Sequence, residues 1–158
     1  ILNESYGDRM PVCSLISEMY EKKLLGIKTD AGFYEYNSKE KSVNQNVISM
    51  LQTNTKITYD DDIVKRCIYI MINEASRCLE EKIVTEASII DFAMITGTGF
   101  PPYKGGLLTY ANDVGLDNIL TSLEKYEKEF GSRFTPSNLL RKLVETNKNF
   151  ETGEELWN

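Results

Sequence analysis

Asp60-Asp-Asp-Ile-Val-Lys-Arg-Cys-Ile-Tyr-Ile-Met-Ile-Asn-Glu-Ala-Ser-Arg-Cys-Leu-Glu-Glu81 is the stretch on which the reading of the fold turns. Its apolar residues Ile63, Val64, Cys67, Ile68, Met71, Ala75, Cys78 and Leu79 follow the spacing of one helix face. Ile70 and Ile72 widen that stripe, which implies burial on more than one side. Asp60, Asp61 and Asp62 complement the positive end of the helix dipole. As a metal cluster they are poorly arranged, because consecutive helical side chains diverge and no glycine-containing calcium loop surrounds them. Asn73 and Glu74, mid-helix, are expected to face solvent or to satisfy the backbone of a neighbouring loop, since no base stands near them in the sequence. Cys67 and Cys78 lie about three helical turns apart on one face and read as small core residues.

Downstream, Thr85 is placed to cap a second helix running to about Thr96, with Ile89, Ile90, Phe92, Ala93 and Met94 as its buried surface. Then comes Gly97-Thr-Gly-Phe-Pro-Pro-Tyr-Lys-Gly-Gly106, whose glycines and prolines cannot continue a helix. Gly97, Gly99, Phe100, Pro101, Gly105 and Gly106 are therefore assigned to a structural turn. A phosphate-cradling loop would need a preceding strand, and Phe92 to Ile95 belongs to a helix. Gly99 and Gly106 are expected to resist larger residues through lack of room or a positive φ. Leu107 to Asn112 resumes a helix that Gly115 closes. Leu116, Ile119, Leu120, Leu123 and Phe130 mark another, stopped by Gly131, with Glu124/Lys128 and Lys125/Glu129 as i,i+4 pairs on its solvated face. Thr135-Pro136 gives an N-cap followed by proline, and Leu139, Leu140, Leu143 and Val144 complete the last helix. The tail after Asn147 is expected to fray.

Upstream, Pro11 to Leu25 places Leu15, Ile16, Met19, Tyr20 and Leu24 at helical spacing, and Gly26 stops that helix. Gly26 to Tyr36 reads as a turn followed by a short extended aromatic stretch, and Asn37 to Ser42 as a polar loop. Val43, Val47, Ile48 and Leu51 suit a short amphipathic helix, and the polar connector Thr53 to Thr58 suits a boundary. With no β alternation beyond the extended aromatic segment near residues 33–36, the pattern specifies an all-α bundle.

Composition removes whole classes of function. The chain has 158 residues, 41% of them apolar, and a net charge of −6, with no basic stripe carrying interleaved aromatics; nucleic-acid partners do not fit. No apolar run approaches the roughly 20 residues a membrane span requires. Histidine is absent, which removes imidazole as base, nucleophile partner or metal ligand. Cys13, Cys67 and Cys78 are odd in number and lack C-x-x-C spacing, so neither a disulfide framework nor a thiolate metal site is expected. A reducing, intracellular compartment fits them.

Arg66 to Glu81, Asp91-Phe-Ala-Met, Gly97-Thr-Gly-Phe-Pro-Pro, Gly105-Gly106 and Arg133-Phe-Thr-Pro136 together resemble the second C-terminal helical repeat of the L-3-hydroxyacyl-CoA dehydrogenases in multifunctional enzymes of fatty-acid β-oxidation. Leu24-Leu-Gly-Ile-Lys-Thr-Asp-Ala-Gly-Phe-Tyr-Glu-Tyr36 is similar to the close of the first repeat. The resemblance implies a helical bundle of the type found in the C-terminal domain of 6-phosphogluconate dehydrogenase. It makes residues 1–59 the truncated end of the first repeat plus a linker, and residues 60–158 a complete second repeat. It further implies a parent that uses NAD to oxidise 3-hydroxyacyl-CoA, in the cytoplasm or in a mitochondrial or peroxisomal matrix. The Rossmann domain, a catalytic His-Glu pair and the opening helices of the first repeat would lie before Ile1. Where such enzymes carry a catalytic Asn-Arg pair in the first repeat, this second repeat has Lys65-Arg66. The chain alone is therefore expected to hold no catalytic residue, cofactor or metal. In isolation its surplus apolar surface favours a homodimer. The alternatives are a helical binding or assembly module that kept the fold without the enzyme, and another hydroxyacid dehydrogenase with a helical C-terminal domain.

Overall fold

Two compact units, residues 1–57 and 58–158, make up the chain. The computed structural model describes residues 2–36, 41–51 and 60–158. The expected connector at Thr53–Thr58 and most of the polar loop at Asn37–Ser42 lie outside the described residues.

In the first unit, α1 (Leu2–Tyr6) and α2 (Ser14–Glu21) precede a hairpin of β1 (Tyr34–Glu35) and β2 (Ser42–Val43), followed by α3 (Gln45–Met50). The helix expected over Pro11–Leu25 is thus shorter at both ends. Val43, expected on a helix, pairs instead with Tyr34 in an antiparallel register. The reason is Asn44. Its buried side chain accepts from the Asn46 N–H at 3.0 Å, which caps α3, and donates to the Gly32 carbonyl at 3.0 Å, which ties the helix start to the hairpin. Among its described apolar residues only Met19 and Val47 are buried, while Ile16, Tyr20, Ile27 and Phe33 are exposed.

The second unit is a bundle of α4 (Asp60–Glu80), α5 (Ala87–Thr98), α6 (Leu107–Val114), α7 (Leu116–Phe130) and α8 (Asn138–Glu145). Ile72 and Leu79 of α4, Leu107, Leu108 and Ala111 of α6, Ile119 and Leu123 of α7, and Leu140 and Leu143 of α8 are all but inaccessible to solvent and form one core. The broad stripe on α4 is what lets a single helix meet three others. Tyr126 and Phe134 belong to this core, and the exposed Phe130 packs on both, the three rings forming tilted pairs 5.6 to 6.1 Å apart.

Four expectations are corrected here. Thr85 does not cap α5: the helix begins at Ala87, and the Thr85 carbonyl accepts from the Trp157 indole N–H at 3.1 Å. The cap of α8 is Ser137, whose hydroxyl accepts from Leu140 N–H at 3.1 Å, because Thr135 is drawn the other way, towards Glu127 at 2.5 Å. The tail does not fray, since Phe150 and Trp157 are buried in the core. Cys67 is exposed, because the packed stripe runs through Ile68, Ile72, Ala75 and Leu79 and leaves it outside, whereas Cys78 is half-buried and packs against the core.

Candidate functional site

The glycine-rich turn is built around a carboxylate that the sequence reading passed over. Asp91 sits in the apolar run Ile89 to Met94 and is nearly buried. Its carboxylate accepts from the N–H of Leu108 at 2.6 Å, the N–H of Thr109 at 3.0 Å and the Thr109 hydroxyl at 2.7 Å. A side chain of α5 thereby caps the start of α6. Gly106 makes the approach possible, with φ at +120° and a position where a Cβ would stand 2.3 Å from Asp91 Cβ and Cγ. The rest of the turn spreads around this anchor. Gly97 is still helical, Gly99 ends α5 in the left-handed conformation, and Pro101 leads into a 3-10 turn, Pro102–Lys104, that Gly105 closes. Phe100 is buried and lies 6.1 Å from the Tyr110 ring, while Lys104 sits 5.3 Å from the same ring. The signal for Asp91 was legible in principle: a lone carboxylate on an apolar helix must find donors, and a Gly-Gly helix start offers free N–H groups.

A second polar cluster joins α4 to α8. Asn73, fully buried, donates to the Thr135 carbonyl at 2.9 Å and accepts from Ser137 N–H at 2.8 Å. Arg77 donates to the same carbonyl at 2.6 Å and pairs with Glu74 at 3.3 Å. The Ser137 hydroxyl donates to Ser76 Oγ at 2.8 Å, and Glu80 accepts from Asn138 at 2.9 Å. These residues occupy successive turns of α4 and hold the backbone that enters α8, so Asn73 answers the need of a neighbouring loop. Glu124 bonds Arg141 of α8 at 2.5 Å.

At the start of α4, Asp62 accepts from the Tyr126 hydroxyl at 2.9 Å. Burial, helped by that bond, pushes the Tyr126 pKa up to about 12. Burial likewise raises that of Tyr69. Both phenols stay protonated at neutral pH and offer no base. Arg66 lies over the Phe130 ring at 4.5 Å.

These arrangements hold backbone in place. The two carboxylate oxygens of Asp91 meet three donors, and both ends of the Asn73 amide are engaged. The start of α6, where a helix terminus could receive a phosphate, is already filled by the Asp91 carboxylate, which repels a second anion. The start of α6 therefore does not fit the pyrophosphate of a nicotinamide dinucleotide. Among the described residues, no group of three or more ligating side chains could hold a metal ion, and no helix is long and apolar enough to cross a membrane.

Two recesses flank α5. Between α4 and α5 runs an apolar groove of about 420 Å³, lined by Met71, Ala75, Cys78, Ile89, Ala93 and Met94 among others. Ile89, which lines it, is 47% exposed, while Phe92, 69% exposed and expected in the buried surface of α5, lines the recess on the opposite side. On the other side of α5, a cleft of about 560 Å³ opens between Asp91, Thr109, Asn112, Phe150 and Trp157.

Comparison with known proteins gives one consistent answer. Residues 63–157 match the family model described as 3-hydroxyacyl-CoA dehydrogenase, C-terminal domain. The chain is 35% identical over 153 residues to a fatty acid oxidation complex subunit alpha from Idiomarina loihiensis, with 95% of this chain and 22% of that protein covered. To the subunit of the same name from Acinetobacter baumannii it is 36% identical over 161 residues, again covering 95% of this chain and 22% of the relative. The chain thus spans about a fifth of the length of these relatives. Among solved structures it is similar to the dehydrogenase part of multifunctional enzyme 1 from C. elegans, with a TM-score of 0.59, 27% identity, and coverage of 89% of this chain and 34% of that one.

Proposed function

The chain belongs to the family of 3-hydroxyacyl-CoA dehydrogenase C-terminal domains, and from that premise we propose that it is the helical scaffold of a fatty-acid-oxidation dehydrogenase, supporting a cleft whose cofactor site and catalytic residues lie elsewhere in a longer protein. Residues 60–158 are read as the whole of a second helical repeat and residues 1–59 as the end of the first with its linker. The observation that carries the reading is what four buried polar side chains do: Asp91, Asn73, Ser76 and Ser137 are all engaged in holding helix starts and connecting backbone. The whole protein would oxidise L-3-hydroxyacyl-CoA to 3-ketoacyl-CoA with NAD as the hydride acceptor. To that reaction this chain contributes positioning. Its three cysteines, Cys13, Cys67 and Cys78, fit a reducing compartment, the cytoplasm or an organelle matrix.

Purified alone, the chain is expected neither to quench nor to enhance NADH fluorescence on titration, and not to reduce acetoacetyl-CoA with NADH. Low-micromolar NADH binding, or turnover by a protein without histidine, would overturn the reading.

As an isolated chain it is proposed to form a homodimer, in which the α4–α5 face of one copy meets that of the other by two-fold symmetry. The apolar lining of the groove and the half-exposed Ile89 within it support this. Sedimentation velocity at micromolar concentration should show the dimer. A monomer that binds no apolar dye removes the proposal.

A further inference from the structure

The position of α5 is under-determined by its contact with α4, because the groove of about 420 Å³ stands open between them. Asp91 ties the middle of α5 to α6. Its beginning is tied by something else. The segment after α8 turns back on itself, with Asn149 Oδ1 accepting from the N–H groups of Glu151 and Thr152 and from the Thr152 hydroxyl at 2.9 to 3.0 Å, and with Lys148 and Glu155 paired across the turn. Gly153 presses so closely on α8 that a Cβ there would meet Leu143 Cδ2 at 2.4 Å. From this base the segment reaches three other elements. Phe150 N–H donates to Asn112 Oδ1 of α6 at 3.1 Å, the Trp157 indole N–H donates to the Thr85 carbonyl at 3.1 Å, and Lys82 donates to the Asn158 carbonyl at 3.0 Å. Thr85 and Lys82 both belong to the turn between α4 and α5, and the Phe150 and Trp157 rings are buried.

We propose that residues 148–158 form a strap that locks the α4–α5 turn to α6 and α8, and so sets the position of α5 and the width of the groove beside it. Each link supports the next. The buried rings anchor the strap in the core, the indole N–H and the lysine fix the turn, and the turn fixes the first residues of α5. With the strap released, α5 is held by Asp91, by the buried Ile90 and by its packing on α6, and is free to pivot about that contact. The apolar groove and the cleft on the far side of α5 then change together, one widening as the other narrows. The strap thereby couples residues 148–158 to both recesses.

Hydrogen exchange read by mass spectrometry tests this without relying on a variant that fails to fold. Trp157→Phe keeps an aromatic ring in the core while removing the indole N–H and part of the ring's volume. It should speed exchange of amides in residues 82–98 by at least roughly two- to tenfold, the worth of one net hydrogen bond, and leave residues 116–145 as they are. Lys82→Met should act in the same direction on the same residues, and Trp157→Ala more strongly. Unchanged protection of residues 82–98 in all three variants would overturn the proposal. So would an equal loss across every helix, which would make the segment an ordinary part of one cooperative core.

Discussion

Replacing Gly106 by valine is expected to destabilise residues 58–158 by about 3–5 kcal/mol, enough to lower the midpoint of thermal unfolding by more than about 10 °C in a unit of this size. Two effects add. A β-branched residue at φ +120° is strained whatever surrounds it, and the new Cβ would stand 2.3 Å from Asp91, so the carboxylate must leave the start of α6. Three hydrogen bonds then go with it, and losing a helix cap alone costs about 1 kcal/mol. Gly99 makes the contrast. It is also left-handed, at φ +75°, but no atom lies within 4 Å of where its Cβ would be. Gly99→Asn should therefore stay within about 1 kcal/mol of the parent, since asparagine tolerates that conformation. Equal losses at the two positions would show that backbone conformation alone, and not the Asp91 contact, governs the turn.

Asn73→Leu should cost about 2–4 kcal/mol by urea denaturation with an unchanged slope, although the volume change is small and leucine suits a helix. The replacement leaves the Ser137 N–H without its acceptor in a buried place and removes one of the two donors to the Thr135 carbonyl. Breaking the Glu124–Arg141 pair by Glu124→Ala should cost no more than about 1 kcal/mol, because both side chains are more than a third exposed and water takes their place. A variant at Asn73 as stable as the parent would free that residue for a role other than holding α8.

The helices were legible because their apolar spacing is dictated by contacts that recur along one element. Ile63 to Leu79, Leu116 to Phe130 and Leu139 to Val144 each need only their own period to be read. What stayed hidden depends on partners distant in sequence. Val43 looks helical until Tyr34 is known to lie opposite it, and Thr135 looks like a cap until Glu127 claims its hydroxyl. Trp157 looks like part of a loose tail because its partner, Thr85, is 72 residues away. The turn around Gly106 lies between the two cases. Its glycines announced a sharp reversal, but only the structure shows that the reversal is shaped by Asp91. Asn73 reads equally as a solvent-facing residue or as one that serves backbone; the structure selects the second, and the sequence could not say that the backbone was that of Thr135 and Ser137.

The central claim is that this chain supports a dehydrogenase without taking part in its chemistry. The most direct test is a graft, in which the chain replaces the matching stretch of the Acinetobacter baumannii subunit and NAD-dependent oxidation of a 3-hydroxyacyl-CoA is measured beside the intact subunit and one lacking the stretch. The account predicts that the deletion abolishes oxidation and that the graft recovers it to within about tenfold of the intact subunit, the margin left by small errors in positioning. A folded graft no more active than the deletion, or a deletion that oxidises substrate at the full rate, would contradict it.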